Sequence, residues 1–427
     1  MKPPLIYNLF PRLVGATTGW GRHAARAREM GFNWLYLNPW HYPGFSGSLY
    51  APKELRRMNP LFLPPESDEL SLEPLRHFLG EMRAIDLPVM MDLVVNHTSK
   101  DSPLIQAHPY WFVRDGAGKV VSPFVVDPDD PSKKTVWGDL AEVDNADSAD
   151  RDRLWSYWAD LVRDSLEYGF SGFRCDAAYM VPVELWQKLI EVARSIDPGV
   201  RFFAETLGAP SEAVVALRRA GFDFIFNSSK WWDLRAPWAL DQHEKFRDLA
   251  PSISFPETHD TTRLAADSGG NEAVQRQRYA FAAAFSAGLM MPIGYEFGFR
   301  KQVNVVETQP SDWEESAFDI TDFVTRVNRL KRRHPLLQGE GVLREAGQPS
   351  GDVLLLERSQ PGAGTGWVAV NRREDASAGL SIGSDPPTGL RLFRICREDA
   401  PPDGEPVPEH LTLRPAEVVY LLPELLG

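Results

Sequence analysis

A chain of 427 residues, 43% of them apolar, is long enough for one large barrel-type domain with a smaller companion around a sizeable core. Its formal net charge of −13, without any long Lys/Arg run, argues against nucleic acid or an anionic membrane as partner and suits a neutral ligand such as a sugar. Two cysteines, Cys175 and Cys396, cannot make a disulfide framework, and no stretch nears the ~18 apolar residues of a membrane span. The first residues show no signal-peptide core, so a cytoplasmic location is expected.

Eight short apolar runs follow one another at 4–10, 32–39, 87–95, 171–176, 200–205, 222–227, 252–257 and 288–295. They are nearly continuous rather than alternating, which reads as strands covered on both faces. Helical periodicity separates them at 20–30, 72–84, 151–168, 182–195 and 213–220. Strand and helix in eightfold repetition predict a closed parallel barrel. The competing open sheet is usually marked by a glycine-rich phosphate loop after the first strand, where this chain has Asn8-Leu9-Phe10-Pro11-Arg12.

Two departures from even spacing divide the chain. A Pro-, Asp- and aromatic-rich excursion after the third strand is too long for a simple connection. Beyond residue 340, strand-like runs at 353–359, 366–372, 390–396 and 411–422 alternate with turns, and 348–351 and 400–408 read as surface loops. The expected fold class is therefore α/β: a (β/α)8 TIM barrel over 1–96 and 150–340, an inserted domain over 97–149, and a C-terminal antiparallel β-sandwich domain over 341–427.

Reactive groups of such barrels sit where strands end. Here the third strand runs Asp92-Leu93-Val94-Val95 into Asn96-His97, the fourth ends in Asp176, the fifth in Glu205, and the seventh leads into Thr258-His259-Asp260. Residues two apart share a strand face, so Arg174 and Asp176 point the same way, and a guanidinium beside a carboxylate favours the charge that a nucleophile needs. Asp176 and Glu205 fall on adjacent strand ends, roughly 5 Å apart, which is the spacing of retaining rather than inverting glycosidases. Taken singly, an Asp after a strand is more often a helix cap than a nucleophile, and an Arg–Asp pair is more often structural. Four strand ends carrying such groups in order are not explained that way.

These motifs resemble the ordered motifs of the α-amylase superfamily, glycoside hydrolase family 13, over the whole chain. The resemblance implies Asp176 as nucleophile, Glu205 as general acid/base and Asp260 as a third carboxylate holding the sugar hydroxyls. It implies substrate contacts from Tyr50, His97, Arg174, His259 and Arg263, with Tyr50 stacking on the sugar. The stretch Gly294-Tyr295-Glu296-Phe297, Asp312-Trp313 and 326–338 is also similar to bacterial maltose-1-phosphate maltosyltransferases. Because His259 stands where that subgroup lacks a histidine, hydrolysis of α-glucosides or short α-1,4-glucans is the expectation. Transglycosylation by a maltosyl- or glucanotransferase or a trehalose-forming enzyme is the alternative, and a non-catalytic sugar-binding relative a third reading. Ala178-Tyr179-Met180 replaces the Lys-His pair of long-chain endo-amylases. Aromatic stretches at 40–45, 109–112 and 231–232 are candidate sugar-stacking surfaces or packing residues. No cofactor is expected; calcium, through Asn96, is the one metal to consider, and oligomeric state is left open.

Overall fold

The computed structural model describes residues 2–126, 132–346, 351–382 and 389–425. Its centre is a closed barrel of eight parallel strands: β1 Leu5–Leu9, β2 Trp34–Leu37, β3 Val89–Leu93, β4 Gly172–Cys175, β5 Arg201–Ala204, β6 Phe224–Phe226, β7 Ser252–Ser254 and β8 Gly288–Pro292. Each falls inside one of the eight apolar runs. The principal helices are α1 Trp20–Glu29, α2 Glu73–Ala84, α3 Arg151–Tyr168, α4 Val183–Ile196, α5 Ser211–Ala216, α6 Trp238–Phe246, α7 Glu272–Phe285 and α8 Thr321–Arg333. Helix α4 shows why the outer layer forms: Val183, Leu185, Trp186, Leu189, Ile190 and Ala193 recur at helical spacing and are all buried against the strands.

The barrel interior has its own core, separate from the layer between strands and helices. Ile6, Tyr36, Met90, Phe203, Phe224 and Ile253 belong to it, one from each of six strands. β4 contributes no side chain at this level, because Gly172 lies there: a Cβ would stand 3.1 Å from the Trp34 ring and 2.8 Å from the Arg201 carbonyl. Moving two residues along each strand keeps the inward direction and reaches the open end. There the apolar plug gives way on β1 to β5 to Asn8, Asn38, Asp92, Arg174 and Glu205, while the same step on β6 and β7 reaches Phe226 and Phe255, which stay in the apolar core. This change of polarity along one face makes the bottom of the barrel a packed core and its top a polar mouth.

The excursion after β3 is tied back by pairing of His97–Ser99 with Leu140–Glu142, and it carries a hairpin of Phe124–Val126 with Lys134–Val136. The C-terminal strands are β9 Val342–Ala346, β10 Val353–Gln360, β11 Gly364–Asn371, β12 Ala378–Ser381, β13 Leu390–Phe393, β14 Glu405–Pro406, β15 His410–Leu413 and β16 Val418–Pro423. They form a six-stranded antiparallel sheet, β9-β10-β11-β16-β13-β14, and a two-stranded sheet, β12-β15. Alternation divides the large sheet: Leu354, Leu356, Val368 and Tyr420 join the main core, while Ala369 and Leu421 pack with Leu411 and Leu413 of the small sheet. The run at 411–422 is thus two strands in different sheets, parted by a turn in which Ala416 takes φ 51. Of the surface loop read at 348–351, residues 348–350 lie outside the described residues. Both cysteines are free thiols, and no helix among the described residues is long and apolar enough to cross a membrane.

Candidate active site

The mouth is built from the first residues beyond the strands. Backbone pairing continues past the ends of β4 and β5: Glu205 N–H donates to the Cys175 carbonyl at 3.0 Å, and Ala178 N–H to the Glu205 carbonyl at 3.1 Å. Asp176 and Glu205 therefore sit side by side just past the ends of neighbouring strands, at the ~5 Å inter-strand spacing.

Glu205 is held by two backbone donors, Ala177 N–H at 2.9 Å and Leu207 N–H at 2.5 Å. Ala177 reaches it from the left-handed region at φ 41, a conformation that disfavours a residue with a Cβ. Burial raises the Glu205 pKa to about 7, and the neighbouring Asp176 charge adds to this, while Arg174 and the two N–H donors oppose it. Asp176 keeps 15% of its side chain exposed and accepts from Arg174 Nη1 at 2.9 Å.

Arg174 is itself fixed from below. The same Nη1 donates to Asp92 at 2.5 Å, and Asp92 also accepts from the hydroxyls of Tyr36 at 2.6 Å and Tyr50 at 2.8 Å. Asn38 donates to both tyrosine oxygens at 3.1 Å and is held in turn by Asn8. The Tyr50 hydroxyl meets His259 Nε2 at 2.9 Å, and the two rings lie parallel with centroids 5.4 Å apart. One buried network thus links the arginine beside Asp176 to the aromatic ring and the histidine of the mouth.

His97 Nε2 lies 2.8 Å from the Tyr50 carbonyl, which can only accept, so this nitrogen carries the proton. Burial lowers the His97 pKa and keeps the ring neutral. Asp260 is 62% exposed, with His259 Nε2 at 3.1 Å, and faces the opening. The structure thus brings Tyr50, His97, Arg174, Asp176, Glu205, His259 and Asp260 around one mouth.

It does not bring Arg263 there. Arg263 is 2% exposed and donates to Glu257 at 2.7 Å, so its charge is spent on a buried carboxylate that would otherwise be unpaired. In this structure Arg263 braces the loop after β7 through that pair rather than facing the mouth. Tyr36, Asn38 and Asp92 were not among the expected site residues, although a signal existed. A carboxylate in the middle of the apolar run Val89-Met90-Met91-Asp92-Leu93 must find a charged or hydroxyl partner.

The aromatic stretches divide between the two readings offered for them. Trp40, Trp111 and Trp232 are buried packing residues, whereas Phe45, Tyr110 and Trp231 are exposed on loops after β2, β3 and β6. For calcium, Asn96 Oδ1 is buried without a hydrogen-bond partner. Among the described residues, no group of three or more His, Cys, Asp or Glu is placed to hold a metal.

A profile of the glycogen debranching enzyme glucanotransferase domain matches residues 5–112. The maltose-1-phosphate maltosyltransferase of Burkholderia pseudomallei is 28% identical over 357 residues, covering 80% of this chain and 30% of that protein. Maltosyltransferase 2 of Streptomyces coelicolor is 25% identical over 448 residues, covering 96% of this chain and 63% of its own length. The chain thus spans less than two thirds of either relative. Among solved structures, an α-amylase from Lactobacillus plantarum superposes with a TM-score of 0.74 at 21% identity, over 98% of both chains. Profile, relatives and fold agree with the resemblance that the strand-end motifs carry.

Proposed function

We propose that this chain, an α-amylase-superfamily barrel by fold and by sequence resemblance, is a retaining transglycosidase that moves short α-1,4-linked glucosyl units between acceptors. The carrying observation is the adjacent carboxylate pair. Asp176 is oriented by Arg174, and burial holds Glu205 at about 7, so that near neutrality a large share of it keeps its proton.

Double displacement follows from that geometry. An Asp176 oxygen attacks the anomeric carbon as the bond to the leaving oxygen breaks, and Glu205 gives that oxygen its proton. The β-glycosyl-enzyme is then opened by an acceptor hydroxyl, whose proton passes to Glu205 as the carbon–oxygen bond to Asp176 breaks. Asp260, Tyr50 and the two histidines bind and orient the sugar ring. The exposed rings Phe45, Tyr110 and Trp231 give the mouth apolar faces on which further sugar units can stack.

Transfer rather than hydrolysis is supported by the curated relatives, which are named as maltosyltransferases, and the hydrolytic expectation gives way to it here. Hydrolysis stays as the second reading because Asp260 is 62% exposed, which leaves the mouth open to water. Incubation with maltohexaose, with and without inorganic phosphate, separates the two. Longer oligosaccharides, or a glycosyl phosphate when phosphate is present, are expected. Glucose and maltose as sole products under both conditions would establish hydrolysis instead.

A further inference from the structure

The end of the barrel opposite the acids carries a second concavity, of about 440 Å³. Its walls come from residues that precede β1 and β2 and from the last turns of α1 and α8, which places it at the N-terminal ends of the strands. Five cations surround it, Lys2, Arg28, Arg329, Arg332 and Arg333, against one carboxylate, Glu29. All six are exposed. In a protein of net charge −13 this concentration runs against the overall balance.

A purely structural role accounts for only part of it. Arg332 and Arg333 lie in the last turn of α8, where cations complement the helix dipole, and Arg333 pairs with Asp403 at 2.8 Å. Arg28 donates to the Asp86 carbonyl at 2.9 Å. Arg329, however, stands a turn earlier than the helix end, and 329, 332 and 333 share one helix face, where like charges repel. Among the described residues, no carboxylate lies within ion-pair distance of Lys2, Arg28, Arg329 or Arg332. Counting Glu29, Asp403 and two half-charges from the helix C-termini still leaves the basin with a net charge of about +2.

We infer that this basin binds a small phosphate-bearing molecule, an ester or anhydride with at least two negative charges. The guanidinium forks of Arg329 and Arg332 on one face of α8 match phosphate oxygens in a way that point charges do not. The concavity has the volume of a small-molecule site, and its cations ring one basin rather than run along a stripe, which disfavours a nucleic-acid backbone. Because the acids lie at the other end, the ligand and a sugar can be bound together.

The test is titration calorimetry of the full chain with inorganic pyrophosphate at constant ionic strength. Saturable binding is expected, weakened about tenfold or more in Arg329→Ala/Arg332→Ala. Glu29→Gln, which removes the one carboxylate of the basin, is expected to tighten binding by a few-fold. Both variants should keep wild-type turnover of maltohexaose, which also certifies their fold. Absence of saturable pyrophosphate binding in the wild-type protein would overturn the inference. So would equal affinity in the double alanine variant, or binding of duplex DNA at these arginines without binding of pyrophosphate.

Discussion

Burial raises Glu205 to about 7 although Arg174 and two backbone N–H groups pull the other way, so its protonation changes within the working range of pH. The first chemical step needs the proton, and kcat/KM is expected to fall as pH rises through about 7, a limb that Glu205→Gln should lack along with most of its activity. Stability moves in the same direction. The folded-state value lies above the unfolded carboxyl value, so the contribution is fully present below about 4.5 and is lost as pH rises through about 7. A glutamine cannot ionise, so Glu205→Gln should gain stability relative to wild type between pH 5 and pH 8, by at most on the order of 3 kcal/mol. Urea unfolding at the two pH values measures this, and a pH-independent difference would contradict it. Much of this mouth was legible in the sequence because strand ends and two-residue spacing can be read from it. Asp92 was not assigned a place because its partners, Arg174, Tyr36 and Tyr50, come from β4, β2 and the β2 loop. The pairing of Arg263 is hidden for the converse reason: Glu257, six residues upstream, is one of several carboxylates within reach, and only the packing selects it.

The elements that read well are those with one apolar face. α7 does not read as an amphipathic helix, since nearly its whole length is buried. It lies between the barrel and the C-terminal sheet, with Gln277 donating to the Asn371 carbonyl and the Tyr420 hydroxyl to the Ala280 carbonyl. Its C-terminal end is closed by two buried cations. Lys331 Nζ donates to the carbonyls of Ala283, Ser286 and Leu337, and Arg358 of β10 to those of Ala284, Phe285, Leu336 and Gly339. Those of Ala283, Ala284 and Phe285 are carbonyls that the end of α7 leaves without partners, and those of Leu336, Leu337 and Gly339 tie the segment after α8 to it. Arg358→Ala would strand four of them and is expected to cost on the order of 3–5 kcal/mol, read as a lowered urea midpoint with activity retained below the transition. A loss under about 1 kcal/mol would mean that water replaces the guanidinium. The division of 411–422 into two strands had a signal that its apolar content masked: Pro415 stands in the turn Arg414-Pro415-Ala416-Glu417, where Ala416 takes φ 51.

At the scale of the molecule, the barrel is closed below by Ile6, Met90, Phe203 and their neighbours and opens above into carboxylates, histidines and exposed rings. Strand count, order and the polar upper rim follow from the sequence pattern. The choice between water and a sugar as acceptor depends on loop surfaces beyond the central subsite, where no periodicity constrains the residues. The central claim is the covalent role of Asp176, and trapping the intermediate tests it most directly. After incubation with 5-fluoro-α-glucosyl fluoride or its maltosyl counterpart, proteolysis and mass spectrometry should find one glycosyl adduct, on the peptide carrying Asp176, and none in Asp176→Asn. An adduct on another residue, or full turnover of natural substrate by Asp176→Asn, would contradict the account.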